Sequence, residues 1–171
     1  MHLLAKLAQT AVEIYVKEGK MIFPPQNIPE KFLTQQAGVF VTITKNSELR
    51  GCIGTYAPAQ ESIALEVVHN AIDAAVNDPR FEPVSATELP DLSYEIYILE
   101  EPKQITSIKD LDPKIYGVIV VSAGKRKSGL LLPGLKSIDT VEQQLAIACQ
   151  KAGIDPKKEK LVVYRFRAEK F

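Results

Sequence analysis

Residues 38–54 constrain the fold more than any other stretch. Val39, Val41 and Ile43 alternate with Phe40, Thr42 and Thr44, which is the period of a strand. Lys45-Asn46-Ser47-Glu48 is a polar turn, and Leu49 to Ile53 returns as a paired strand. A hairpin joins antiparallel strands through a few residues, whereas parallel strands need a crossover of a dozen or more. This favours an α+β fold over a doubly wound parallel sheet.

The remaining pattern fits that frame. Residues 3–18 predict an amphipathic helix, with Leu4, Leu7, Ala8, Ala11, Ile14 and Tyr15 at three-to-four spacing and Gly19 as its C-terminal cap. Pro24, Pro25 and Pro29 mark a connecting loop. Residues 61–77 form the strongest helix. Its polar positions, Ser62, Glu66, His69, Asn70, Asp73 and Asn77, make one narrow stripe, so most of the helix is expected to be buried. Asp78-Pro79 ends it. Leu92 to Leu99 is a strand, Tyr116 to Ser122 is a nearly all-apolar central strand, and Gly129 to Leu132 runs back from it as a second hairpin. Asp139-Thr140-Val141-Glu142 has capping-box spacing. It opens a helix to Ala152 that buries Val141, Leu145, Ala148 and Ala152, with Gly153 and Ile154 closing it. Val162, Tyr164 and Phe166 belong to a last strand. The expected fold is a mostly antiparallel sheet packed by helices.

Composition narrows the classes of function. A chain of 171 residues suits one domain, 1–171, and buries about 70% of its unfolded surface without a disulfide or metal staple. Lysine plus arginine equals aspartate plus glutamate, 21 each, which gives no general attraction to nucleic acid or an anionic membrane. No apolar run approaches the ~20 residues of a membrane helix. The start, Met1-His2-Leu3-Leu4-Ala5-Lys6, lacks the basic opening of a signal peptide. Two distant cysteines, Cys52 and Cys149, point to a reducing, cytoplasmic setting. Together with His2 and His69 they are the whole soft-ligand supply. Without close spacing they predict neither a metal site nor a cofactor. No three-cysteine cluster is present for an iron–sulfur centre.

One segment concentrates chemistry: Leu49-Arg50-Gly51-Cys52-Ile53-Gly54-Thr55. Glycines in a strand suggest a bulge or a close backbone approach. In an unbroken strand Arg50 and Cys52 share a face, and a guanidinium beside a thiol favours the reactive thiolate. The competing reading is a buried cysteine packed as a small hydrophobe, with Gly51 and Gly54 letting a helix lie close. Arg80 has two readings, a clamp on a carboxylate or phosphate and a cap on the preceding helix's carbonyls. Glu95 is either an acid–base partner or a solvated strand residue. Gly51-Cys52-Ile53-Gly54 formally matches an RNA-binding GXXG loop, but cysteine and isoleucine fit poorly where solvated polar residues belong. The basic tip Lys125-Arg126-Lys127 offers too few charges for firm nucleic-acid binding.

The same segment resembles the hallmark of the AMMECR-domain family, also called AmmeMemoRadiSam system protein A. Asp78-Pro79-Arg80-Phe81, Tyr94-Glu95-Ile96-Tyr97-Ile98-Leu99, Gly129-Leu130-Leu131-Leu132-Pro133 and Lys151-Ala152-Gly153-Ile154 are similar to further family segments, in family order. Two departures stand out: Gly134 follows LLLP where many members carry a polar residue, and Tyr116 precedes Gly117 where relatives often carry a charged residue or histidine. The resemblance implies a larger and a smaller lobe around a cleft bordered by the RGCIG segment. It also implies association with Memo-like and radical-SAM proteins, but no reaction. Two main hypotheses follow, with RNA binding through the GXXG match a distant third. One is a binding or accessory module for those partners. The other is an enzyme or enzyme component for a small polar or anionic ligand, with Cys52 as thiolate and Arg50 as its electrostatic partner. In either case Gly51, Ile53, Gly54, Arg80 and Glu95 are candidate ligand-binding residues.

Overall fold

The structure is a computed structural model that describes residues 2–124 and 126–171; Met1 of the leader reading and Lys125 of the basic tip lie outside the described residues. In chain order the elements are α1 (Leu3–Glu18), α2 (Glu30–Thr34), β1 (Val39–Lys45), β2 (Glu48–Thr55), α3 (Ile63–Val76) and β3 (Leu92–Leu99). They continue with β4 (Lys103–Gln104), β5 (Gly117–Ser122), β6 (Ser128–Leu131), α4 (Val141–Ala152), β7 (Leu161–Phe166) and β8 (Ala168–Lys170). The chain divides into two units, Met1–Ile98 with Glu169–Phe171, and Leu99–Ala168. The fold is α+β, with two antiparallel sheets and four α-helices among the described residues.

The first unit grows from the expected hairpin. Asn46 and Ser47 both have positive φ, 52° and 67°, the geometry of a tight two-residue turn. β1 pairs antiparallel with β2 on one side and β3 on the other. The sheet order is β2–β1–β3–β8. Val39, Val41 and Ile43 point inward and are fully buried. α3 packs on β1 and β2, and α1 packs on α3. α1 spans the expected residues and Gly19 closes it at φ 67°, as expected; its start is capped by the His2 side chain, which accepts the Leu4 N–H. α2 was not expected from the proline run. Pro29 stands at its N-cap, where a missing N–H costs nothing, and Phe32 anchors it in the core.

The polar stripe of α3 needs correction. Glu66 and Asn70 are buried, 1% and 4% exposed, rather than solvated. The Glu66 carboxylate accepts the Thr55 hydroxyl (2.6 Å) and the backbone N–H groups of Ala59 (2.9 Å) and Gln60 (2.8 Å). Asn70 donates to the Val39 carbonyl at 3.0 Å. Buried polar groups are tolerable when bonded in this way, and here they tie the segment after β2 to the helix.

The second unit has the order β4–β7–β5–β6, antiparallel throughout, with β5 in the interior as expected. α4 packs on β6 and β5. Its capping box lies one residue later than the sequence spacing suggests: Thr140 and Gln143 cap each other, not Asp139 and Glu142. Gly153 ends the helix at φ 63°, and Ile154 donates to the Cys149 carbonyl at 2.9 Å. Ala148 is buried with Gln144 and Cys149, while Val141, Leu145 and Ala152 are only half-buried.

Two strand glycines let the helices reach their sheets. A Cβ built on Gly51 would stand 2.0 Å from the Ala74 carbonyl oxygen of α3, and one on Gly129 would stand 2.1 Å from that of Ala148 in α4. No other residue fits at those contacts. No helix among the described residues is long and apolar enough to cross a membrane.

Candidate functional site

The RGCIG segment lies in β2, at the edge of the first unit's sheet. Its pairing with β1 slips: Ile43 faces Gly51, but Thr44 faces Leu49. Arg50 is therefore the extra residue of a β-bulge, which re-aims its side chain. The same-face expectation for Arg50 and Cys52 presumed unbroken alternation. Instead Arg50 makes a two-pronged bond to Glu88, Nε to Oε1 at 3.0 Å and Nη2 to Oε2 at 3.1 Å. Both side chains are shielded, 15% and 17% exposed. Glu88 also accepts the Ser85 N–H and the Lys45 ammonium. The Arg50 guanidinium, followed by the Ser85 N–H, holds Glu88 well below the usual carboxylate range.

Cys52 is braced through its backbone. Its N–H donates to Asp78 Oδ2 at 2.9 Å, and its carbonyl accepts from Arg80 Nη2 at 3.3 Å. Arg80 in turn donates to both Asp78 oxygens, from Nε at 3.0 Å and from Nη2 at 2.7 Å. Asp78 is lowered to about 2, first by the Arg80 bond against the opposing effect of burial, then by the Cys52 N–H. Arg80 is raised, first by its bond to Asp78. Burial opposes, and the charges of Asp78 and Cys52 reinforce. The guanidinium that serves Cys52 is thus Arg80 rather than Arg50. Arg80 does not cap the preceding helix; Asn77 does so, donating its N–H to the Asp73 carbonyl. Phe81 carries both guanidinium groups near its ring, Arg80 at 5.4 Å and Arg50 at 6.0 Å.

The side chain of Cys52 faces away from the core. It stands directly opposite Thr42 with its N–H turned outward, so the two form a close, non-hydrogen-bonded cross-strand pair. The Thr42 hydroxyl lies 3.2 Å from the sulfur. Thr42 also stands opposite Glu95 on β3. Cys52, Thr42 and Glu95 consequently form one row across three strands. Glu95 accepts the Tyr97 hydroxyl at 3.1 Å and pairs with Lys170 at 2.8 Å. In the next row Phe40 lies between Gly54 and Tyr97. A Cβ on Gly54 would meet the Phe40 ring at 2.3 Å, so this glycine makes room for the ring.

The structure therefore divides the expected site. Cys52, Gly54 and Glu95 share the outer face; Gly51 and Ile53 point to α3 and the core; Arg50 and Arg80 flank the strand edge. Thr42, Asp78 and Glu88 were missed as partners. Only strand register could have nominated Thr42, which is ten residues from Cys52. Cys52 is half-buried, whereas Cys149 is buried and its thiol is pushed up by that burial.

Fold and site define an α+β protein whose helix-backed antiparallel sheet presents a braced cysteine at an edge strand. Residues 5–171 match the AMMECR1 family, and the chain belongs to it. A Thermotoga maritima protein is 47% identical over 171 residues, covering 99% of this chain and 97% of that one. A Clostridium acetobutylicum protein is 44% identical over 167 residues; they are 95% of this chain but 35% of that longer protein. The crystal structure of an uncharacterized Pyrococcus horikoshii protein superposes with a TM-score of 0.89 at 36% identity, covering 98% of this chain and 88% of the other.

Proposed function

We propose that this protein is a binding or accessory module, and that it presents the outer face around Cys52, Thr42 and Glu95 to Memo-like and radical-SAM partners. One observation carries the reading: the charged groups around Cys52 are committed to one another. Arg50 is held by Glu88, Arg80 by Asp78 and Glu95 by Lys170. General acid–base catalysis needs a group poised to exchange a proton at working pH, and ion-paired carboxylates and guanidiniums are not so poised. A fixed, half-buried face with an aromatic ring, a hydroxyl and a thiol suits recognition better.

Co-expression with the Memo-like and radical-SAM proteins of the same genome tests this. Co-elution is expected, with loss of binding for Thr42→Lys, which places a charge in the middle of the face, and retention for Cys52→Ser. A protein that elutes alone in the presence of both partners sinks the proposal.

The second reading, an enzyme component for a small anionic ligand, has one observation in its favour. Arg50 Nη1 is buried without a hydrogen-bond partner among the described residues, and such donors call for an explanation. Under this reading Cys52 alkylates readily in the native protein, and bound small anions slow the reaction. A thiol that reacts only after denaturation removes it.

A further inference from the structure

The second unit holds a cluster that the Cys52 face does not involve. Lys103 on β4 stands directly opposite Arg165 on β7. Like charges in that position destabilise a sheet. Arg165 and Arg167 converge on one ring, with their guanidinium carbons 4.5 Å and 5.3 Å from the centroid of Tyr116. Arg167 Nη2 also donates to the Tyr116 hydroxyl oxygen at 3.4 Å, and Arg165 Nη1 to the Asp110 carbonyl at 2.5 Å. None of the three cations forms an ion pair among the described residues.

The backbone that carries this ring is tied on both sides of its Cα. The Tyr116 N–H donates to the Asp112 carbonyl at 2.7 Å, and its own carbonyl accepts from Gln144 Nε2 at 2.7 Å. Gln144 is fully buried. Lys103, Tyr116, Arg165 and Arg167 line a hollow of about 110 Å³ together with Glu100 and Glu101. Pockets for drug-sized ligands measure about 300–1,000 Å³, so this space suits a small headgroup. Two guanidiniums and an ammonium match the oxygens of a phosphate, which guanidinium forks bind in pairs. Glu100 and Glu101 on the rim leave a local balance of one positive charge, which favours a single phosphate over an extended polyanion.

We infer that the Lys103–Tyr116–Arg165–Arg167 hollow binds one phosphate dianion, free or as the end of a small phosphate monoester. The positive field is already felt by Tyr116. The Arg167 bond holds its hydroxyl below the usual phenol range and so favours the phenolate; burial opposes, the charges of Arg165 and Arg167 add to the lowering, and Glu100 opposes it. The inference is independent of the reading given to Cys52.

Calorimetric titration of the full chain with inorganic phosphate and with phenyl phosphate, at fixed ionic strength, tests it. At least one of the two binds with a Kd of about 1 mM or tighter; tighter phenyl phosphate assigns the site to esters, and tighter inorganic phosphate to the free ion. Arg167→Gln weakens binding at least about tenfold and Lys103→Gln about threefold, whereas Lys158→Gln leaves it unchanged. A second readout is the ultraviolet titration of the Tyr116 phenol, taken as the difference from Tyr116→Phe. Saturating phosphate moves its midpoint upward, because the bound dianion cancels the field that favours the phenolate. Equal binding by wild type and Arg167→Gln, or a Tyr116 midpoint that ignores phosphate, overturns the inference. If Arg167→Gln does not fold, Lys103→Gln and the phenol titration decide.

Discussion

In both units a glycine of an edge strand lies beneath a helix carbonyl, Gly51 beneath Ala74 and Gly129 beneath Ala148. Each contact brings a helix closer to its sheet than any side chain would allow. Away from these contacts each unit carries a cluster of cations, and the two clusters differ. In the first, the cations beside Cys52 each meet a carboxylate, Arg50 with Glu88 and Arg80 with Asp78. In the second, Arg165 and Arg167 gather on Tyr116 without a paired carboxylate among the described residues. One packing device thus supports two kinds of surface. The first has its cations paired with carboxylates, and the second keeps charge available.

The largest expected effect breaks what the units share. Gly51→Ala and Gly129→Ala each force a methyl group into a helix carbonyl, and backbone cannot swing away as a side chain can. Each substitution is expected to cost about 3 kcal/mol or more in urea denaturation. Two nearly equal losses support the shared device; a tolerated Gly129→Ala would confine it to the first unit.

A smaller effect sharpens the difference. Asp78 is lowered from 3.8 to about 2 in the folded protein. A depressed carboxylate contributes stability that is complete above its ordinary value and lost as pH falls through the folded one. The stability contributed by Asp78 is therefore lost between about pH 4 and pH 2. Asp78→Asn removes this part of the acid limb and costs about 2 kcal/mol at neutral pH, since it leaves Arg80 without its countercharge. Denaturation at a series of pH values measures both. The smallest effect is the control: Lys158 pairs with Asp155 at 3.5 Å on an open surface, and Lys158→Gln changes stability by less than about 0.5 kcal/mol.

Much of this architecture was legible in the sequence because it is local. Gly19, Asn46-Ser47 and Gly153 mark ends and turns that depend only on near neighbours. α2 was hidden by prolines that read as loop, although one of them opens the helix. The α3 stripe misled because periodicity separates polar from apolar but not bonded from solvated; the partners of Glu66 lie 6, 7 and 11 residues away. At the candidate site the composition of RGCIG was readable and its geometry was not. The bulge at Arg50 is a property of the β1–β2 register, and no count along β2 alone reveals it. Tyr116 and Arg167 are 51 residues apart and meet only through the second sheet.

The brace on Cys52 has a further consequence. An outermost strand offers unpaired N–H and C=O groups on which a strand from another molecule can template itself. Asp78 and Arg80 occupy one such donor and one such acceptor on β2, so they also guard the protein against self-association. A chain stripped of both would keep its hairpin but present a sticky border, and its first failure on storage would be aggregation rather than unfolding.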